Sequence, residues 1–414
     1  MNPSLQTARA PGALVVPTVL PIAVAILGLE RTRMDTDILV VGAGPAGLAV
    51  AAALKAKGRR PLVIEKATQV GASWRDHYER LHLHTVKSLS ALPGLAFPAD
   101  APRYVPRQGV VDYLVAYAAQ AGIEPCFGAE ATAIVRDGDG AWRTTTRSGR
   151  AFRSRAVVVT TGANNVPSRA KIEGEETFAG TIAHSRDYRN AVPYAGRRVV
   201  VVGLGNTGAE IALDLAEHGV AVALSVRSPV NIVLRDVLGR PTQKTSIMLA
   251  RLPNALGDAL ARVFRDLSVG DIARWGLEPS PLSPLRQLRE HGKTPVIDVG
   301  TLARIKSGEI AVYPAIRRLN GDGVEFVDGR IWNADRVVLA TGYRAAIDSL
   351  FPDIDVPVDG GGLPSTLAGT GDLDGVYFVG FDTRQPGGLL RTIAHQAVAV
   401  AERIDAALPS PAAA

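Results

Sequence analysis

The most informative pattern along the chain is an apolar strand that runs into a glycine turn and a helix, and it occurs twice. Residues 37–66, DILVVGAGPAGLAVAAALKAKGRRPLVIEK, predict a buried strand, a turn, a helix and a second strand. Residues 197–228, RRVVVVGLGNTGAEIALDLAEHGVAVALSVRS, repeat that order. Alternating strands and helices of this kind predict an α/β fold with two dinucleotide-binding, Rossmann-like domains.

The glycines of the first unit have the spacing G-x-G-x-x-G. Gly42 allows a tight turn, Gly44 lets the backbone approach a pyrophosphate, and Gly47 lets the helix pack on the strand. Glu65 follows the second strand, where an acid accepts hydrogen bonds from a ribose diol. The predicted cofactor-binding residues of this unit are Gly42, Gly44, Pro45, Ala46, Gly47 and Glu65.

The second unit has the same glycine spacing but ends its second strand with a base. Arg227 stands where the first unit has its acid, and an arginine can pair with the 2′-phosphate that an acid would repel. The first unit therefore suits FAD or NAD, and the second suits NADPH. The alternative is that Arg227 is an ordinary solvated residue at a strand end. The predicted cofactor-binding residues here are Gly203, Gly205, Asn206, Thr207, Gly208 and Arg227.

Two further apolar strands run into Thr-Gly and bear on the domain boundaries. They lie in residues 155–168 and 335–344, and the second contributes Thr341 and Gly342 to the predicted cofactor-binding residues. We expect both strands to return from inserted segments to the first sheet. The predicted domains are an FAD-binding domain of residues 35–195 and 330–414, and an inserted NADPH-binding domain of residues 196–329 that also holds a substrate-lining segment. A final helix is expected from about Leu389.

The amino terminus is predicted to lie outside these domains. Residues 13–29 are apolar but contain Pro17 and Pro21, and the stretch is short for a membrane span. We therefore interpret residues 1–34 as a disordered extension or a misassigned start, with Met34 as the functional initiator. No stable membrane insertion is expected, and the predicted location is the cytoplasm.

Composition narrows the chemistry. Cys126 is the single cysteine of the 414 residues, which excludes a CxxC redox pair and a multi-cysteine metal site. The net charge of +6 comes from basic residues spread along the chain, which favours small anionic ligands over nucleic acid. No metal site is predicted.

Several motifs resemble those of the flavin-containing monooxygenases, the class B flavoprotein monooxygenases. Residues 178–188, FAGTIAHSRDY, have the spacing FxGxxxHxxxY, and residues 339–343 read LATGY. Other stretches resemble the YUCCA branch, the plant-type indole-3-pyruvate monooxygenases; they are residues 78–98, 293–310 and 375–381. The resemblance extends over residues 37–405.

The resemblance implies an NADPH- and O2-dependent enzyme that forms a flavin C(4a)-(hydro)peroxide. In the YUCCA branch, this implies oxidative decarboxylation of a 2-oxo acid such as indole-3-pyruvate. Oxygenation of nitrogen or sulfur and Baeyer–Villiger oxidation by the same fold remain alternatives, and so does a redox-sensing module that binds FAD and NADPH without turnover. The implied partners are a small-molecule substrate and O2, and a homodimer is left open.

The resemblance also implies roles for individual residues. The family's Gly-Gly-x-Trp appears as residues 71–74, with Ala72 in place of one glycine, and it adds Ser73 and Trp74 to the cofactor-binding residues. His84 stands where many relatives have an asparagine near the flavin C(4a), and it is the candidate catalytic residue as well as a cofactor contact. Otherwise His84 is an ordinary strand residue, like His82. We expect His184 and Tyr188 to brace the domain junction and not to act in catalysis. Arg235, Arg240 and Lys244 are unassigned candidates for pairing with a substrate carboxylate.

Overall fold

The computed structural model describes residues 33–169 and 171–409, which form a mixed α/β fold. Within these residues the α-helices are α1 (Pro45–Ala56), α2 (Ala72–Arg75), α3 (Arg107–Gln120), α4 (Asn206–Glu217), α5 (Thr242–Leu249), α6 (Asn254–Val269), α7 (Pro284–His291), α8 (Thr301–Lys306) and α9 (Leu389–Ala407). The expectation of a helix from about Leu389 is confirmed by α9. None of the helices in the described ranges combines the length and the apolar character needed to cross a membrane.

The strands of the same residues divide between two larger sheets and several short ladders. They are β1 (Arg33–Val41), β2 (Leu62–Ile64), β3 (Ala131–Arg136), β4 (Trp142–Thr146), β5 (Ala151–Val159), β6 (Val166–Pro167), β7 (Thr181–His184), β8 (Arg198–Val202), β9 (Ala221–Ser225), β10 (Ile232–Leu234), β11 (Asp236–Val237), β12 (Arg240–Pro241), β13 (Val296–Asp298), β14 (Ile310–Tyr313), β15 (Ile316–Asn320), β16 (Gly323–Phe326), β17 (Ile331–Asn333), β18 (Arg336–Leu339), β19 (Tyr343–Arg344) and β20 (Val376–Phe378).

The first sheet contains β1, the strand that precedes the first glycine turn. Its order is β2-β1-β5-β4-β3, and β20 adds to β5 as a further parallel strand. Helices α1, α3 and α9 cover one face, where Ile38 and Val40 of β1 are buried, while Leu39 and Val41 are buried on the opposite face. Because both faces are covered, β1 has the continuous apolar run seen in the sequence rather than an alternating one.

The second sheet contains β8, the strand that precedes the second glycine turn. All its strands are parallel, in the order β14-β9-β8-β18-β7. The expectation that residues 335–344 return to the first sheet is wrong, because β18 lies between β8 and β7. The chain leaves this same sheet after β14, forms the antiparallel strands β15, β16 and β17, and returns to the sheet with β18. With β7 and β18, the second sheet draws on residues outside the predicted range 196–329.

The two chain connections between the sheets run side by side. In the short ladder of β6 and β19, Val166 pairs with Arg344 and Pro167 pairs with Tyr343. The amide of Ser168 also donates to the carbonyl oxygen of Gly342 at 2.9 Å. The segment that follows β5 and leaves the first sheet is therefore hydrogen-bonded to the segment that follows β18 and leads back towards that sheet.

The first strand is longer than the sequence pattern predicts. Residues 33–36 pair with 151–154 of β5, ahead of the apolar run that begins at Ile38. Met34, proposed above as an initiator, is opposite Phe152 in this ladder, so the predicted extension of residues 1–34 overlaps β1 by two residues. The rest of that extension, including the apolar stretch 13–29, lies outside the described residues.

Within residues 229–295, the strand β10 pairs with β13, which follows this range, and the helices are α5, α6 and α7. Helix α6 buries Arg265, whose guanidinium donates to Asn231 and to the carbonyl oxygens of Ser280 and Leu282. The same helix exposes large apolar side chains, among them Leu267 with 81% of its surface exposed. The usual polarity of a surface helix is therefore partly reversed in α6.

Candidate active site

The first glycine turn has the geometry of a pyrophosphate cradle. Gly42 has φ +115°, a conformation that favours glycine, and a Cβ on Gly47 would come within 1.8 Å of the Gly42 carbonyl oxygen. Gly44 caps α1, and Pro45 follows as its first residue. A Cβ on Gly44 would meet no other atom of the described residues within 4 Å, so these residues leave the space beside Gly44 at the helix amino terminus open. These residues fit a bound dinucleotide.

The second glycine turn repeats this geometry at α4. A Cβ on Gly208 would come within 2.0 Å of the Gly203 carbonyl oxygen, while a Cβ on Gly205 would have no neighbour within 4 Å in the part of the chain that the structure describes. The side chain of Asn206, however, is engaged with the protein: its Oδ1 accepts from the amide of Ile297 at 2.7 Å. In this second cradle, Asn206 fastens α4 to the strand β13.

Glu65 and Arg227, the residues that follow the second strand of each unit, differ in the hydrogen bonds that their side chains make with the described residues. Glu65 accepts hydrogen bonds from the amides of Ala43 at 2.7 Å and Ala67 at 2.9 Å, which holds its carboxylate beside the first glycine turn. Arg227, just beyond β9, is exposed, and its guanidinium makes no hydrogen bond or ion pair with the residues that the structure describes. The Glu65 carboxylate is thus held by the backbone, whereas the Arg227 guanidinium faces solvent.

Each glycine turn has a backbone neighbour from the strand that follows it in the sheet. Thr160, after β5, lies against the first turn, where a Cβ on Gly42 would come within 2.8 Å of the Thr160 carbonyl oxygen. Ala340, after β18, holds the same place beside Gly203 at 2.7 Å. Thr341 and Gly342 therefore follow the strand next to the second turn, and their hydrogen bonds join them to Ser168.

A cavity of about 290 Å³ lies at the carboxyl end of β20, where α/β sheets bind their ligands. Its lining includes Asp382, Arg384 and Gln396, and Arg384 is paired with Asp359 at 2.6 Å. Gly380, at the start of the same segment, adjoins the first glycine turn, since its Cβ would come within 3.0 Å of the Ala46 Cβ. The cavity and the first glycine turn thus belong to one region.

The expectation of a strand at His84 is wrong, because this residue lies in a loop, where it is bonded to a carboxylate of α4, the helix that begins at the second glycine turn. Its Nε2 donates to Oε1 of Glu210 at 2.6 Å, and the Glu210 side chain is only 4% exposed. The His84 Nδ1 is enclosed and has no hydrogen-bond partner among the described residues. His82, by contrast, is exposed, and its Nδ1 lies 2.6 Å from the Arg80 carbonyl oxygen.

Two other acids of α4 extend this contact along the junction. Asp214 accepts from the Tyr188 hydroxyl at 2.5 Å, and Arg80 pairs with Glu217 at 2.8 Å. Burial, and then the hydrogen bond to Asp214, raise the pKa of Tyr188 well above its usual range, so the phenol stays protonated and donates. Sequence reasoning missed Glu210 and Asp214. Their spacing of four residues within the otherwise apolar run AEIALDL was the available signal.

The remaining predicted residues are distributed as follows around the junction. Ser73 is exposed on the short helix α2, while Trp74 is half-buried and packs against the cores of both sheets. His184 contacts the Gly342 carbonyl oxygen through Nε2 at 3.1 Å, and burial lowers its pKa. Thr207 interacts with the hydroxyl of Tyr78.

Of the three unassigned cations, Arg235 has the most specific surroundings. Its guanidinium lies 4.2 Å from the centre of the Tyr104 ring. Its Nε lies 3.7 Å from Asp236 and is enclosed without a hydrogen bond to any described residue. Arg240 and Lys244 are exposed.

Comparison with known proteins places this geometry in a family. The family model described as pyridine nucleotide-disulphide oxidoreductase matches residues 39–237, which include both glycine turns. The solved structure of a flavin-containing monooxygenase from Stenotrophomonas maltophilia superimposes with a TM-score of 0.69 over 90% of this chain and 99% of that one, at 22% identity. That likeness shows a shared fold.

Sequence similarity to proteins of rice is considerably higher. The chain is 37% identical to indole-3-pyruvate monooxygenase YUCCA1 of Oryza sativa subsp. japonica over 371 residues, which cover 88% of this chain and 90% of the relative. It is 38% identical to YUCCA4 of the same organism over 363 residues, covering 84% and 83%. The predictions of an oxidoreductase enzyme with FAD and NADPH as cofactors are confirmed at the level of the family. The chain belongs to the flavin-dependent monooxygenases of the YUCCA type.

Proposed function

We propose that this protein catalyses the NADPH- and O2-dependent oxidative decarboxylation of a 2-oxo acid of the indole-3-pyruvate type. The supporting observation is the pair of open glycine cradles with an acid after one strand and an unpaired arginine after the other, in a chain similar to YUCCA1 over 88% of its length. In balanced form, the 2-oxo acid, O2, NADPH and a proton give CO2, water, NADP⁺ and an acid that is one carbon shorter.

The chain's own residues would bind and orient the two dinucleotides. We assign FAD to a domain built on the first glycine turn, with Glu65 on its ribose, and NADPH to an inserted domain built on the second turn, with Arg227 on its 2′-phosphate. When bound, NADPH supplies the hydride and the reduced flavin supplies the oxygen-activating chemistry. His84 and Trp74, at the junction, would close the site against water. Arg235 is the proposed partner of the substrate carboxylate.

We expect indole-3-pyruvate or phenylpyruvate to release CO2 in step with NADPH oxidation by the purified enzyme. Indole-3-pyruvate, phenylpyruvate, a thioether, a tertiary amine and a cyclic ketone are compared in air, with NADPH consumption, CO2 and oxygenated products measured for each. A 2-oxo acid that is inert beside an oxygenated thioether, amine or ketone would replace this proposal with one of the alternatives named above. An enzyme that never oxidises NADPH in air would contradict all of them.

We also propose a homodimer formed through helix α6. Its residues Leu256, Leu260, Val263 and Leu267 are spaced by four, three and four positions, which is the seam of a coiled coil. The spacing reads the same in both directions, so a second, antiparallel copy places Leu256 opposite Leu267 and Leu260 opposite Val263. Leu256, Val263 and Leu267 are 50%, 53% and 81% exposed, while Leu260 is partly buried against the small core that contains Leu249. Three exposed apolar side chains along one surface helix are typical of an interface.

We expect Leu267→Asp to convert the protein from twice the chain mass to the chain mass, measured by light scattering during gel filtration. The reason is that the dimer would bury a carboxylate without a partner at the end of the seam. Leu238→Asp is the matched control, because Leu238 is an equally apolar, fully exposed residue at the tip of the β11–β12 hairpin and does not belong to α6. A wild-type protein that is monomeric at every concentration would exclude this interface.

A further inference from the structure

The dinucleotide cradles leave one buried carboxylate on α4 unexplained. Glu210 is 3% exposed and lies within the helix that begins at the second glycine turn. It accepts from His84 Nε2 at 2.6 Å and interacts with the hydroxyl of Tyr78. Burial, and then Glu210, raise the pKa of Tyr78 well above its usual range, so that hydroxyl remains a donor. The Glu210 carboxylate has a short hydrogen bond to His84, and it is the second nitrogen of His84 that is enclosed without a partner among the described residues.

The second ring nitrogen of His84 calls for a partner that the described residues do not supply. Its Nδ1 is enclosed without a hydrogen bond, whereas buried polar atoms in proteins are nearly always bonded. A carboxylate at Nε2 keeps the hydrogen on that nitrogen, because a carboxylate can only accept. In the neutral ring, Nδ1 is then an acceptor, and the group that satisfies it must be a donor.

The chain around His84 shows where that donor would come from. Two residues on, the amide of Val86 donates to Oε1 of Gln243 at 2.7 Å, and Nε2 of Gln243 donates to the Gly387 carbonyl oxygen. Gly388, which caps α9, adjoins Thr85, since its Cβ would come within 2.6 Å of the Thr85 side chain. The loop of His84 therefore lies between α4, which begins at the second glycine turn, and α9, which packs on the first sheet.

We propose that Glu210 is a positioning residue that holds His84 with its hydrogen on Nε2, so that Nδ1 accepts a hydrogen bond from an amide-type N–H of a bound dinucleotide. This rests on the proposed function, which assigns a dinucleotide to each side of the junction. The flavin ring and the carboxamide of nicotinamide both carry such an N–H. Only one of these two groups can donate to Nδ1. If the flavin is the donor, the dissociation constant of FAD should change, and if the nicotinamide is the donor, that of NADP⁺ should change.

The test measures binding rather than turnover, in a double-mutant cycle of Glu210→Gln and His84→Phe. The dissociation constant of NADP⁺ is obtained from the change in flavin absorbance of the FAD-loaded protein, and that of FAD from its rebinding to the stripped protein. Asp214→Asn is the matched control, since Asp214 is a buried acid one turn further along α4 that bonds a tyrosine instead. If Glu210→Gln does not fold, Glu210→Asp, whose carboxylate is too short to reach His84, takes its place.

We expect Glu210→Gln to weaken one dinucleotide about tenfold, because the glutamine amide also allows the other tautomer of His84. A raised NADP⁺ constant identifies the nicotinamide as the donor, and a raised FAD constant identifies the flavin. The double variant should match His84→Phe alone, and Asp214→Asn should leave both constants unchanged.

Two results would overturn the proposal. Unchanged constants in folded Glu210→Gln and His84→Phe proteins would mean that Nδ1 meets no dinucleotide. Equal losses from Glu210→Gln with and without His84 would mean that Glu210 does not act through the histidine. Neither result depends on the substrate, so a protein that fails to decarboxylate 2-oxo acids while these binding effects persist would contradict only the proposed function.

Discussion

A Gly44→Val variant should purify as a folded protein that has lost its bound flavin and its yellow colour. Gly44 has φ −78°, which valine adopts without strain, and no atom of residues 33–169 or 171–409 outside its immediate neighbours lies within 4 Å of its Cβ position. The added side chain would therefore leave the fold intact and occupy the space of the pyrophosphate. Flavin content is measured from the ratio of the absorbance at about 450 nm to that at about 280 nm, and folding is measured by circular dichroism.

The second cradle offers a matched control for this experiment. Gly205 has φ −98° and is equally open at its Cβ, so Gly205→Val should also fold. We expect it to keep its flavin and to lose the reduction of that flavin by NADPH. If Gly44→Val retains stoichiometric FAD, or if Gly205→Val is the variant that loses it, then FAD is not bound at the first glycine turn.

Arg227→Ala should raise the KM for NADPH about ten- to a hundredfold and leave the KM for NADH nearly unchanged. The expected loss corresponds to one charge-assisted, bidentate contact with the 2′-phosphate, roughly 1.5–3 kcal/mol. The guanidinium of Arg227 is exposed and unpaired within the described residues, so its removal breaks no contact of the fold. Initial rates of oxidation of both coenzymes measure the effect.

The coenzyme without the phosphate is the internal control for Arg227. Arg227→Lys is an informative second variant, because lysine keeps the charge but loses the two-pronged geometry, and its KM for NADPH should fall between those of the other two proteins. An equal rise for NADPH and NADH would show that Arg227 contributes to binding or folding in some other way.

Local patterns were sufficient to predict the two units of strand, glycine turn and helix. The spacing of Gly42, Gly44 and Gly47 reflects contacts within one strand, turn and helix, and such contacts are set by neighbours in the sequence. The same holds for the helix that begins at Leu389, which follows a Pro-Gly-Gly turn. The family, too, was evident from short motifs, because these mark ancestry independently of long-range pairing.

Sheet membership was a different matter, since it depends on contacts between distant segments. Residues 335–344 have the apolar run of a buried strand, and that run is compatible with either sheet. The position of β18 between β8 and β7 follows from pairing with residues more than 130 positions away, which leaves no mark in the local pattern.

The junction shows the same division most clearly. His84 could be singled out from the chain, but as a residue with two interpretations, because nothing near it in sequence reveals its partner. Glu210 lies 126 positions further on, and the two meet because the loop of residues 84–86 folds onto the second glycine helix. A helix propensity or a glycine spacing is a property of adjacent residues, whereas a buried histidine–carboxylate pair exists only once two distant segments have been packed together.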